Sequence, residues 1–182
     1  MTQITIRFAT KADAVGCTRI YTETWSTAYR HIVPQEYITT LNASRYQTIL
    51  DSLPESSPLN SSGILTVVAE CEKDIIGLAV FGSTRDPDFS KTYPLELKSL
   101  YVLPDFHGRG IAMRLIRKGA DLMGWYSLDP AVAKMSCRTF EMNERAIAFY
   151  KKIGGTVVGR GIWSRPGIER VILTVGWNSV PI

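Results

Sequence analysis

Cysteine is scarce. Cys17, Cys71 and Cys137 are three in 182 residues, an odd number with no CxxC spacing. That argues against a disulfide framework and against a cysteine-based zinc site, so no metal is expected and a reducing cytoplasm is the simplest location. No apolar run reaches the roughly 18 residues that a membrane span needs, so no membrane partner is expected. The opening MTQITIRFATKAD has no basic segment leading into an apolar one, so no secretory leader is expected. No run of five Lys or Arg occurs, and the net charge of +4 is scattered, which argues against nucleic acid as a partner. A mild basic excess also suits an anionic small ligand.

What is present is ordinary globular material. Hydrophobic residues make up 45% of the chain and charged residues 21%, enough for a core without staples. The length suits one domain over residues 1–182. ITIRF (4–8) alternates like a half-buried strand. Thr10 followed by Asp13 is a helix-start signal, and the helix is expected to run to about Tyr29 with Val15, Ile20, Thr24 and Ala28 as its buried stripe. Pro34 opens a second helical patch. The serine- and proline-rich stretch 52–63 reads as a loop. ILTVVAEC and IIGLAVFG around EKD form a hairpin, LELKSLYVL a third strand, and residues from about Gly110 to Tyr126 an amphipathic helix. AVAKMSC (131–137) reads as a strand, NERAIAFYKKIG as a helix capped by Asn143, and two closing strands flank SRPGI. This order predicts a mixed α/β sheet with helices on its faces.

HGRGIA (107–112) follows the third strand and opens the amphipathic helix. One reading is a plain tight turn. A dinucleotide site would want a third glycine where Met113 stands, and an acidic residue ending the next strand, whereas Asp129 precedes it. A P-loop is excluded because no Lys-Ser/Thr follows the glycines. The remaining reading is a pyrophosphate cradle. The first turn of a helix leaves about four N–H groups without internal partners, and the dipole adds about half a positive charge there. Gly108, Gly110 and Ala112 keep the approach open, with Arg109 and Arg114 on the flanks.

LYVLPDFHGRGIAMRLI resembles the acetyl-CoA signature Gln/Arg-x-x-Gly-x-Gly/Ala of the GCN5-related N-acetyltransferase (GNAT) family, through His107, Gly110 and Ala112. His107 departs from the usual Gln or Arg. NERAIAFYKKIGG resembles the family's Asn-x-x-Ala-x-x-Phe-Tyr helix, with Gly154-Gly155 where Gly-Phe is usual. Together the two stretches place nearly the whole chain in that pattern, most weakly residues 10–63. The resemblance implies a GNAT-like fold with a mostly antiparallel central sheet flanked by helices. It also implies transfer of an acetyl group from acetyl-CoA to a primary amine of a small molecule or peptide by direct attack; a homodimer is a further expectation.

Several roles follow from the resemblance. The loop from His107 through Gly108, Arg109, Gly110, Ile111 and Ala112 is expected to hold the cofactor. The strand before it is expected to splay from its neighbour, so that the N–H of Val102 faces the thioester carbonyl while Leu100 and Tyr101 line the pantetheine. Asn143 is a candidate cofactor contact, with a plain helix cap, or both roles together, as the other readings. Glu96 lies six residues before Val102, which puts both side chains on one face of an unbroken strand, and it is the candidate base. Tyr93 and Glu23 are the alternatives. Tyr150, expected to point away from the apolar stripe of Ala146 and Phe149, is the candidate acid for the leaving thiolate. Trp25, Tyr29, His31 and Tyr37 are candidates for an acceptor pocket, and Arg160, Arg165 and Arg170 for its rim. Two other readings stay open: a non-catalytic acyl-CoA-binding module, which needs neither Glu96 nor Tyr150, and a nucleic-acid binder.

Overall fold

The computed structural model describes residues 3–129, 133–179 and 181. One seven-stranded sheet organises the chain. Its strands are β1 (Ile4–Phe8), β2 (Leu65–Cys71), β3 (Asp74–Ser83), β4 (Leu95–Val102), β5 (Met135–Phe140), β6 (Thr156–Arg165) and β7 (Ile168–Trp177), in the spatial order β1-β2-β3-β4-β5-β7-β6. Only β4 and β5 run parallel; every other neighbouring pair is antiparallel. The expected order of elements and the mostly antiparallel sheet are both present. The beginning of the AVAKMSC stretch lies outside the described residues, and β5 opens at Met135.

The helices are α1 (Ala14–Ala28), α2 (Gln35–Ala43), α3 (Arg45–Ser52), α4 (Ile111–Leu122) and α5 (Glu144–Lys152). They divide between the two faces of the sheet. On one face, Ile111, Leu115, Ile116 and Ala120 of α4 pack with Leu97, Leu100 and Val102, and α5 joins them. Leu115 and Ile116 are fully buried, worth about 1.5–3 kcal/mol each. On the other face, Cys17 and Ile20 of α1 and Ile49 of α3 pack on Val68, Leu78 and Tyr101.

Local corrections have local causes. The helix expected from Thr10 begins as a single 3-10 turn, where the Thr10 N–H donates to Asp13 Oδ2 at 2.9 Å; α1 proper then starts at Ala14. Its buried positions are Ala14, Cys17 and Ile20, while Val15 is 69% exposed. Of the expected stripe Ile20 is buried, Thr24 is half-buried and Ala28 is exposed. α4 stops at Leu122 rather than near Tyr126, because Gly124 turns left-handed at φ 69°.

One irregularity matters for everything that follows. Val80 pairs with Ser99 but Phe81 pairs with Leu97, so Lys98 is an extra residue in β4. Such a bulge reverses the alternation of side chains beyond it. Leu97, Leu100 and Val102 therefore share the α4 face, whereas Ser99 and Tyr101 face α1.

Candidate active site

The site begins where two parallel strands part. β4 and β5 pair only at Leu95–Met135, Glu96–Ser136 and Leu97–Cys137, although β4 continues to Val102 and β5 to Phe140. The Leu103 N–H donates to Ile76 of β3 at 2.9 Å. By strand alternation, the N–H and C=O of Val102 point the other way, into the gap. The His107 ring confirms the carbonyl's direction, since its Nε2 lies 2.6 Å from Val102 O.

Just beyond the gap, the glycine loop does what small residues permit. Gly108 and Gly110 are left-handed, at φ 76° and 73°, and a Cβ on either would meet nothing within 4 Å. These glycines answer to backbone conformation and open space, not to packing. Gly110 is the N-cap of α4 and supplies no side-chain cap. Among the described residues, the N–H groups from Gly108 to Met113 have no protein acceptor. Ile111 offers only its backbone, because its side chain is 2% exposed within the core. Arg109 is folded back: it donates to Asp105 O at 3.0 Å and stacks 5.1 Å over Phe106. Arg114 is bonded to Ile4 O.

His107 is a connector. Its Nδ1 receives a bond from Arg145 of α5, and its Nε2 donates to Val102 O. An arginine only donates and a carbonyl only accepts, so these partners require the neutral Nε2–H tautomer. The ring thus ties α5 to the end of β4, across the mouth of the gap.

Tyr150 corrects its expected direction. It is the buried residue of α5, 8% exposed, and stands edge-on to Trp177 at 5.6 Å. The Cys137 thiol on β5 and, from the opposite face, Tyr29 and Tyr101 bear on its hydroxyl electrostatically. Burial is the main cause that pushes the phenol well above its ordinary range, so it holds its proton. Asn143 does cap α5, accepting from the Ala146 N–H at 3.2 Å.

Glu96 is not beside Val102. The Lys98 bulge puts it on the α1 face, opposite the side chains of Leu100 and Val102. It is 1% exposed and grasped by Arg85 through the backbone N–H at 2.8 Å and Nη2 at 2.6 Å, with Arg138 at 3.5 Å and Lys98 at 3.7 Å. Burial alone would raise its carboxyl, but the bonds and charge of Arg85 outweigh burial and hold it below the ordinary carboxylate range. Tyr101 likewise lies on the α1 face, 5.2 Å edge-on from Tyr21, and does not share a surface with Leu100. Of the alternatives, Glu23 is on the outside of α1 beside Arg19, and Tyr93 packs against Gly176.

The α1 face beneath the gap is aromatic. Trp25, Tyr29, Phe140, Trp163 and Tyr37 form a closed ring of contacts at 4.7, 5.5, 5.3, 5.5 and 6.4 Å. His31 is exposed beside Arg30 and takes no part. The three expected rim arginines are otherwise engaged. Arg160 pairs with Glu141, Arg165 stacks on Trp163, and Arg170 bonds to Ile32 O. The residue that sequence reasoning missed is Arg45 at the start of α3. It is 8% exposed, with its guanidinium 5.0 Å over Tyr21 and 5.4 Å over Trp25.

A sheet parted beside a helix tip of open amides, with a buried phenol at the parting, is the architecture of an acyl-CoA N-acyltransferase. A family model described as acetyltransferase (GNAT) domain matches residues 62–154, the span from before β2 to the end of α5. The chain belongs to this family of acetyltransferases. It is 26% identical over 175 residues to the uncharacterised N-acetyltransferase YuaI of Bacillus subtilis (strain 168), covering 96% of this chain and 92% of the relative. Its fold is that of the PaiA N-acetyltransferase of Thermoplasma acidophilum in complex with coenzyme A, with a TM-score of 0.67, 20% identity, and 94% and 98% of the two chains covered. A GCN5-related N-acetyltransferase from Rhodopseudomonas palustris superposes with a TM-score of 0.68, at 20% identity over 97% and 96% of the chains. No helix among the described residues is long and apolar enough to cross a membrane.

Proposed function

We propose that the chain works as one domain that moves an acetyl group from acetyl-CoA to the primary amine of a small molecule, the amine entering from the α1 face. The observation that carries this reading is the alignment of the bare α4 tip with the splayed end of β4. The unbonded amides of Gly108 to Met113 suit a diphosphate, and the open glycines let it approach. Acetyl-CoA, when bound, supplies an acyl group activated as a thioester.

The chain's own residues then divide the work. The Val102 N–H is held toward the gap, where it donates to a carbonyl oxygen; one such fixed donor is worth about 2.7–4 kcal/mol in the transition state. His107 steadies it by gripping the carbonyl of the same residue. Tyr150 keeps its proton at neutral pH and can pass it to a leaving thiolate, then recover one from the displaced amine proton through solvent. Glu96 is ionised but weakly basic, because Arg85 already satisfies it. To take a proton from the amine, it must exchange an Arg85 bond for one from the amine or a water. Arg85 is half exposed, so that exchange needs no core rearrangement.

The test is thiol release from acetyl-CoA against a panel of small amines. Release that depends on an amine supports the reading. Binding of acetyl-CoA with no release from any amine would instead favour a non-catalytic acyl-CoA-binding module.

A further inference from the structure

Arg45 is a buried cation without an anion. Its Nε donates to Asn42 Oδ1 at 3.1 Å, but its Nη2 is buried with no partner, and it enters no ion pair among the described residues. Burial lowers its affinity for the proton, and the partial compensation comes from Tyr101, Tyr21 and Tyr37, not from any carboxylate. Buried charges are normally paired, and an orphaned donor carries its full desolvation cost. Nor does helix stability explain it. A cation in the first turn of α3 opposes the helix dipole.

Its neighbour repeats the pattern. Trp25 Nε1 is buried and unpartnered, in the ring over which Arg45 lies. Trp125 Nε1 is also unpartnered, but that indole stands in the core against Phe81, whereas the Arg45 guanidinium lies over Trp25. Tyr21 and Tyr101 bear on Arg45, and Arg85 feels the same two tyrosines. The buried carboxylate on the α1 face, Glu96, is already answered by Arg85, Lys98 and Arg138. Two guanidinium groups, those of Arg45 and Arg85, therefore bear on Tyr21 and Tyr101, and Tyr101 is the residue before Val102.

We infer that Arg45, with Trp25 Nε1 beside it, receives the carboxylate of the acceptor, so that the substrate is a small primary amine that carries a carboxylate. This rests on the acetyltransferase reading above. A guanidinium fork presents two parallel donors to a carboxylate, which fixes orientation as well as charge. An amino acid so held would extend its amine past Tyr101 toward the thioester. A polyamine would meet like charge on both sides.

The experiment compares α-, β- and γ-amino acids with their carboxamides and with spermidine, reading kcat/KM by thiol release. The expected result is a preference for the acid over its amide of about a hundredfold or more, as a desolvated charge pair allows. Arg45→Met should collapse that ratio toward one while acetyl-CoA affinity by calorimetry is retained. Arg45→Lys, which keeps the charge but loses the fork, should fall between. Equal use of acid and amide, a preference for spermidine, or an intact ratio in Arg45→Met would overturn the inference. A second readout does not need turnover: the rise in Tm given by the same amino acids at saturating acetyl-CoA. If no amine releases thiol, a rise seen in the wild type and lost in Arg45→Met upholds the carboxylate site while the catalytic reading fails. No rise with any amino acid overturns the site.

Discussion

The two faces of the sheet are built from different materials. On the α4 face, the functional groups belong to the backbone: unbonded amides at a helix tip and one strand N–H beside a gap. On the α1 face, they are side chains: five interlocked aromatic rings, a paired Glu96 and an unpaired Arg45. Backbone groups recognise what every acyl-CoA shares, a diphosphate and a thioester carbonyl. Side chains distinguish one amine from another. On the function proposed above, cofactor and acceptor recognition fall on different faces, and substitutions should separate them.

The largest effect is expected on the backbone-built side. Gly110→Asp tolerates the left-handed conformation but sets a carboxylate where the diphosphate belongs, so acetyl-CoA affinity should fall about a thousandfold. Calorimetry reads it, with circular dichroism to confirm the fold; unchanged affinity would remove the cradle. Next is Tyr150→Phe, which should lower kcat about a hundredfold and leave acetyl-CoA affinity within a fewfold. Equal losses in both would mean that the phenol only packs.

The side-chain-built face should answer in stability. Glu96→Gln removes the charge that Arg85 grips, and should cost about 1–3 kcal/mol at pH 7 by urea unfolding. The sign with pH is fixed by direction. Glu96 in the fold titrates below its ordinary value of 4.5, so its stabilisation is complete above that value and is lost as pH falls through the lower, folded one. The gap between wild type and Glu96→Gln should therefore close in acid; a gap that widened would contradict the pairing. Smallest is Arg145→Ala, which unties α5 from His107 and should reduce kcat by about tenfold at most, the worth of one hydrogen bond.

How much could be read in advance follows the same division. The glycine loop and the Asn143 cap were legible because each is decided by a few adjacent residues: left-handed φ, missing bulk, a short polar side chain at a helix start. The order of elements along the chain was legible from the alternation of strand and helix patterns. The Lys98 bulge was not, because it exists only in the register between β3 and β4, and it moves Glu96 to the face opposite Val102. Tyr101 parts from Leu100 for a simpler reason: neighbouring residues of a strand point to opposite faces. Arg45 left one trace in the sequence, a basic residue opening a helix where an acidic one is favoured, but α3 follows α2 so closely that its start was hidden.

The central claim is that the α4 tip grips a diphosphate so that a thioester lies along the open edge of β4. Calorimetric titration with acetyl-CoA and, separately, with S-acetylpantetheine, which carries the thioester without the diphosphate, tests it directly. Saturable heat with acetyl-CoA and at least about a hundredfold weaker binding of the truncated thioester is the predicted result, the loss of a charge-assisted contact set. No heat with acetyl-CoA, or equal affinity for the two, would contradict it.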